Sequence, residues 1–162
     1  MDSRTNGKGD EVNLSPNFTL EEFIRSDYAI RHGIDNAPSP DVVENLTALA
    51  QNVLEPLRLI VKKPIHILSG YRCPELNSGI GGATNSQHIE GKAADIIVPQ
   101  MTVNELFELT RKFTDHDQVI QEFDRWTHVS FNGKANRKQS LWAVKENGKT
   151  VYLPTAPARS QS

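Results

Sequence analysis

Cysteine is nearly missing from this chain. Cys73 is the only one in 162 residues, so no disulfide can form within it, and the redox compartment stays open. Long apolar runs are missing too. Nothing approaches the roughly 20 residues of a membrane-crossing helix, so no membrane partner is expected. Charge of one sign is also lacking: 18 Lys and Arg against 20 Asp and Glu leave a net −2. That balance gives no electrostatic footprint for nucleic acid. Met1 to Asp10 is polar, without the apolar centre of a secretion signal. The expectation is a chain made in the cytoplasm, or one that starts after a removed signal. There is no internal repeat and no basic wall-binding segment.

An apolar fraction of 37% and a charged fraction of 23% fit a soluble globular protein. The length fits one domain with a real core. Residues 1–13 read as a flexible tail, 14–153 as a single domain and 154–162 as a disordered tail. Thr19-Leu20-Glu21-Glu22 has the form of a capping box, with Phe18 and Phe23 as its staple. Ser39-Pro40-Asp41 starts a longer helix. Its stripe is Val42, Leu46, Leu49, Ala50, Val53, Leu54 and Leu57, and Pro56 should kink or end it. Strands are expected at Ile65–Ser69, Ala93–Val98, Gln118–Phe123 and Trp126–Phe131, the last two joined by a tight Asp124-Arg125 turn. A helix covers Thr102–Phe113. A hairpin over Leu141–Lys145 and Thr150–Leu153 turns at Asn147-Gly148. Residues 70–87 read as a long loop, a feature that is often functional in a compact domain. Helices first and mainly antiparallel strands later predict an α+β fold.

Within this frame, Ser86-Gln87-His88-Ile89-Glu90-Gly91-Lys92-Ala93-Ala94-Asp95 and Trp126-Thr127-His128-Val129-Ser130 carry the chemistry. His88, Asp95 and His128 offer two imidazoles and a carboxylate, a ligand set for a catalytic zinc with one position left to water. Such a site points to hydrolysis. Strand alternation puts His128 on one face with Trp126 and Ser130, opposite Thr127 and Val129.

Residues 86–95 match every fixed position of Ser-x-His-x-x-Gly-x-Ala-x-Asp. Ser69-Gly70-Tyr71-Arg72 and Trp126 to Ser130 match two further segments of the same family. The chain resembles the zinc D-Ala-D-Ala carboxypeptidases over roughly residues 14–135, and most closely their small single-domain, phage-type members. Their fold is shared with the hedgehog signalling domain. The resemblance implies helices packed on a sheet that carries zinc, with His88, Asp95 and His128 as ligands. It also implies Arg72 as a substrate-binding and oxyanion-stabilising group.

A carboxylate must also move the proton. Some relatives place it three residues before the last His, where this chain has Arg125, which cannot serve. The hedgehog-like branch has Glu six residues before, and Glu122 matches; it is favoured over Asp124. Ser86 is divided evenly between substrate binding and loop support. Asn77, Asn85 and Gln87 read as loop braces, Tyr71 as core, Trp126 as core or a wall of the zinc pocket with core favoured, and Glu90 as solvated. His66, His116 and Cys73 have no motif context.

The expected activity is zinc-dependent cleavage of peptidoglycan stem-peptide bonds involving D-amino acids, by a monomer that reaches the cell wall if released. Whether a terminal residue or an internal bond is cut stays open, and the loop at 132–140, with Lys134, Arg137 and Lys138, can shape either. The alternatives are a zinc-stabilised binding module without turnover and a phage structural component.

Overall fold

The computed structural model describes residues 10–158. The tail positions 1–9 and 159–162 lie outside them. Strand β1 (Asn13–Ser15) begins inside the stretch read as a tail, because Asn13 pairs with Thr19 of β2 (Phe18–Thr19). Thr19 caps α1 (Leu20–Ile24), its backbone N–H donating to the Glu22 carboxylate at 2.7 Å. The Phe18 and Phe23 rings, both fully buried, lie 6.2 Å apart beneath it. A short helix unforeseen from sequence, α2 (Asp27–His32), follows. Ser26 caps its start, and Gly33 ends it in the left-handed region.

Helix α3 (Pro40–Leu49) starts behind Ser39. All seven residues of the anticipated stripe are buried. Pro56 does not end this run. Residues 50–54 widen into a π turn, in which the Glu55 N–H reaches the Ala50 carbonyl. The run then continues as α4 (Glu55–Val61), with Pro56 directly after the π turn, which loosens the backbone ahead of the missing N–H. The loop at 70–87 also holds a helix, α5 (Pro74–Gly79). Cys73 caps it: the thiol sulfur accepts from the Leu76 N–H at 3.4 Å.

The remaining elements are β3 (His66–Ser69), β4 (Ala93–Ile97), α6 (Val103–Phe113), β5 (Gln118–Glu122), β6 (Trp126–Ser130), β7 (Gln139–Glu146) and β8 (Lys149–Leu153). The six strands β3 to β8 form one sheet in the order β3-β4-β6-β5-β7-β8. Every neighbouring pair is antiparallel except β5–β7, so the sheet is mixed and the fold is α+β. The β5–β6 turn centres on Phe123 and Asp124, both at φ +57°, one residue earlier than the sequence suggests. The Arg125 N–H closes it onto the Glu122 carbonyl at 2.9 Å. The loop between the paired Glu122 and Trp126 is thus three residues, Phe123 to Arg125, and it holds phenylalanine in an uncommon conformation.

One face of the sheet, through Ala94, Ile96 and Val129, shares a core with Leu46, Leu49, Val53, Leu54 and Leu106. Burying each such leucine stabilises the fold by roughly 1.5–3 kcal/mol. Two glycines allow the helices to come close. A Cβ on Gly91 (φ +71°) would meet the Val42 carbonyl at 2.8 Å, and one on Gly70 would meet the Phe23 carbonyl at 2.6 Å. With no side chain on these residues, the segments carrying His88 and Arg72 can press against α3 and α1. Among the described residues no helix is long and apolar enough to cross a membrane.

Candidate metal centre

Sheet register assembles the site. Asp95 on β4 is the direct partner of both His128 on β6 and Ser69 on β3. Ile120 of β5 faces His128 from the other side, and Glu122 pairs with Trp126 one step further along the same face. His88 arrives from outside the sheet, on a 3-10 turn over Gln87–Glu90. Ser86 caps that turn, its hydroxyl accepting from the His88 N–H at 3.2 Å. Gly91 ends it in the left-handed region and returns the chain into β4.

His88, Asp95 and His128 are all buried, and their ligand atoms lie within 4.8 Å of one another. Asp95 Oδ1 is 3.1 Å from His128 Nδ1 and 3.4 Å from His88 Nε2. Donors held about 2.0–2.1 Å from a tetrahedral zinc sit roughly 3.3 Å apart, so both separations fit one ion. The tautomer of His88 fits too. Its Nδ1 lies 2.7 Å from the Gly70 carbonyl and must donate there, which leaves the Nε2 lone pair facing Asp95. Burial opposes ionisation of Asp95, but the imidazoles of His88 and His128 outweigh it and hold the carboxyl below the usual range.

Arg72 is tied to the ligands. It donates from Nη2 to Asp95 Oδ2 at 3.2 Å, from Nε to Ser69 Oγ at 3.0 Å and from Nη1 to Asn77 Oδ1 at 3.2 Å. Asn77 is buried and donates in turn to the Ala83 carbonyl, so it braces the loop as its residue type suggests. Arg72 thus orients the outer oxygen of Asp95 while keeping further N–H donors unengaged.

The triad opens into a cavity of about 940 Å³, lined also by Arg72, Ser86, Glu122, Trp126, Arg137 and Tyr152. Glu122 faces it. Burial and the Asp95 charge raise the Glu122 carboxyl above its ordinary value, with His128 and Arg72 pulling the other way. Asp124 does not line the cavity; its carboxylate accepts from the Gln121 side chain and its N–H donates back to Gln121 Oε1 at 3.0 Å. Trp126 takes the less favoured of its two readings and walls the cavity, because it shares the sheet face of His128. Its indole N–H is buried without a partner among the described residues. Tyr71 packs in the core and Glu90 is exposed. His116 is buried against Thr114, and neither it nor Cys73 lines the cavity. Tyr152 and Asp117 carried no signal in the sequence. Tyr152 arrives through the C-terminal hairpin, and burial with the Glu122 and Asp95 charges raises its phenol.

A family model described as Peptidase M15 matches residues 16–130, which span the whole triad. No curated protein matches the chain.

Proposed function

The chain belongs to the peptidase M15 family, whose members are zinc-dependent, and on that premise we propose that it hydrolyses peptidoglycan stem peptides at bonds involving D-amino acids, cutting within the peptide. The observation that carries this is the triad at the wall of an open cavity, with one carboxylate and one guanidinium beside it. His88 Nε2, Asp95 Oδ1 and His128 Nδ1 would hold the zinc, which when bound supplies Lewis acidity that lets water ionise near neutral pH.

The chain's own groups do the rest. Glu122 accepts the proton of the attacking water and returns it to the departing amine, a role suited to a carboxyl raised toward the working pH. Arg72 fixes the Asp95 carboxylate and offers its remaining donors to the developing oxyanion. Gly70, Ser86 and Ser69 hold His88 and Arg72 in place, so little reorganisation is needed during reaction.

Internal cleavage is supported by the shape of the site. A second hollow of about 570 Å³ adjoins the first, with Ser26, Leu68, Ser69, Arg72 and Ile80 in both linings, and we read the two as one groove that runs past Arg72. An extended peptide can lie along both. Mass spectrometry of purified muropeptides, incubated with zinc-loaded protein and with chelator, tests the proposal. The expected result is zinc-dependent loss of a fragment larger than one amino acid. Loss of a single terminal residue would make it an exopeptidase, and no loss from any muropeptide would leave a binding module on this scaffold.

A further inference from the structure

A second arginine on the cavity wall is built differently from Arg72. Asp117, just before β5, is fully enclosed. Its Oδ1 accepts from the Arg137 backbone N–H at 2.9 Å and from Arg137 Nε at 3.0 Å. Its Oδ2 accepts from Arg137 Nη2 at 2.8 Å, from Gln87 Nε2 at 2.9 Å and from Ser130 Oγ at 3.4 Å. One edge of the guanidinium is therefore gripped by a buried carboxylate, in the fork geometry that fixes its plane. Nη1 has no partner among the described residues, and the side chain is 52% exposed. Arg137 lines the metal cavity together with Gln87 and Gln118.

An arginine that only pinned the 132–138 loop would need no place on this wall. The two arginines lining the cavity are Arg72 and Arg137, and Arg72 is bound to Asp95. Asp117 has already ordered the Arg137 guanidinium, so an anion landing on its free edge loses less conformational entropy. We propose that Arg137 is a specificity residue: its free guanidinium edge anchors a carboxylate of the peptide, so that acidic substrates are preferred to their amides. The proposal rests on the peptidase assignment. The carboxylate is either the peptide's terminal one or that of an internal acidic residue next to the cut.

Two pairs of stem peptides separate these sources. One pair differs only in a terminal acid or amide, the other only in an internal acid or its amide. For zinc-loaded wild type, one pair should show an acid preference in kcat/KM of about ten- to hundredfold, the span expected of a charge-assisted hydrogen bond. Arg137→Gln should abolish that preference, raising KM for the acid about ten- to hundredfold more than for its amide. The pair that responds names the carboxylate. Isothermal titration of the same peptides, read without turnover, should show the same preference in Kd, so failure of hydrolysis is distinguishable from failure of the anchor. Wild type without preference in either pair, by either readout, overturns the proposal. So does an Arg137→Gln protein that loses acid and amide substrates equally along with zinc affinity, because Gln87 would then be transmitting a purely structural defect to His88.

Discussion

Replacing Glu122 by Gln removes a proton acceptor and little else. The side chain keeps its volume and its place beside Trp126 on the cavity face. It is not one of the three ligand-bearing residues, so zinc stoichiometry should stay at one per chain by elemental analysis. General acid–base catalysis contributes about 10²–10⁴ in rate, which at 1.36 kcal/mol per decade is roughly 2.7–5.5 kcal/mol of barrier. The fall should appear in kcat with KM nearly unchanged, because a group that acts on water makes no ground-state contact with the peptide. Stability should move the opposite way. Burial and the Asp95 carboxylate oppose ionisation of Glu122, so the neutral amide should melt at or slightly above wild type in metal-free protein. Timed chromatography of a synthetic stem peptide, combined with calorimetric melting, reads both effects. A variant that loses less than threefold in kcat would refute the assignment of Glu122 as base, and one that loses zinc would show that it acts through the ligands.

Zinc added at a hundred times its Kd should stabilise the fold by about 2.7 kcal/mol, seen as a rise in Tm that a chelator reverses; His128→Ala should abolish both the rise and hydrolysis. Gly91→Ala should destabilise the chain by about 2–5 kcal/mol in urea unfolding, combining a left-handed alanine with contacts at 2.8 Å to Val42. Asp117→Asn should cost roughly 1.5–3 kcal/mol at neutral pH, toward the low end because half-exposed Arg137 is screened. Arg137 holds the Asp117 carboxyl well below the usual carboxylate range, so its contribution is complete above the unfolded value of about 3.9 and fades as pH falls further. Acid titration of both proteins should therefore show their stabilities converging below that value. A gap that stays constant down to pH 2 would contradict it.

What the sequence conveyed follows how local each signal is. The Thr19 capping box and the Asn147-Gly148 turn are decided by neighbours within a few residues, and each stands where its pattern puts it. Pro56 was misleading because its effect depends on the register of the turn before it, and one π turn reset that register. Helices α2 and α5 were missed because six residues are too few for a periodic pattern. The parallel β5–β7 pairing has no local signature at all: it depends on how the chain at 131–138 crosses the sheet end.

The site divides along the same line. Strand alternation sets the face of His128, and the β4–β6 register brings it against Asp95; the face is legible from a two-residue periodicity, whereas the pairing of two ligands 33 residues apart was legible only through the motif resemblance. The groups around them obey no such period. Gly70 serves through its carbonyl, which every residue type possesses, and Asp117 meets Arg137 from 20 positions away, with the whole β5–β6 hairpin between them. Arg72 shows the consequence. Its residue type suggests a substrate clamp, yet its nearest anion in the folded chain is the metal ligand Asp95. A guanidinium placed there couples substrate binding to ligand orientation, so loss of Arg72 cannot be divided between the two from kcat alone. Zinc affinity measured beside KM separates them, because only the ligand role moves the first.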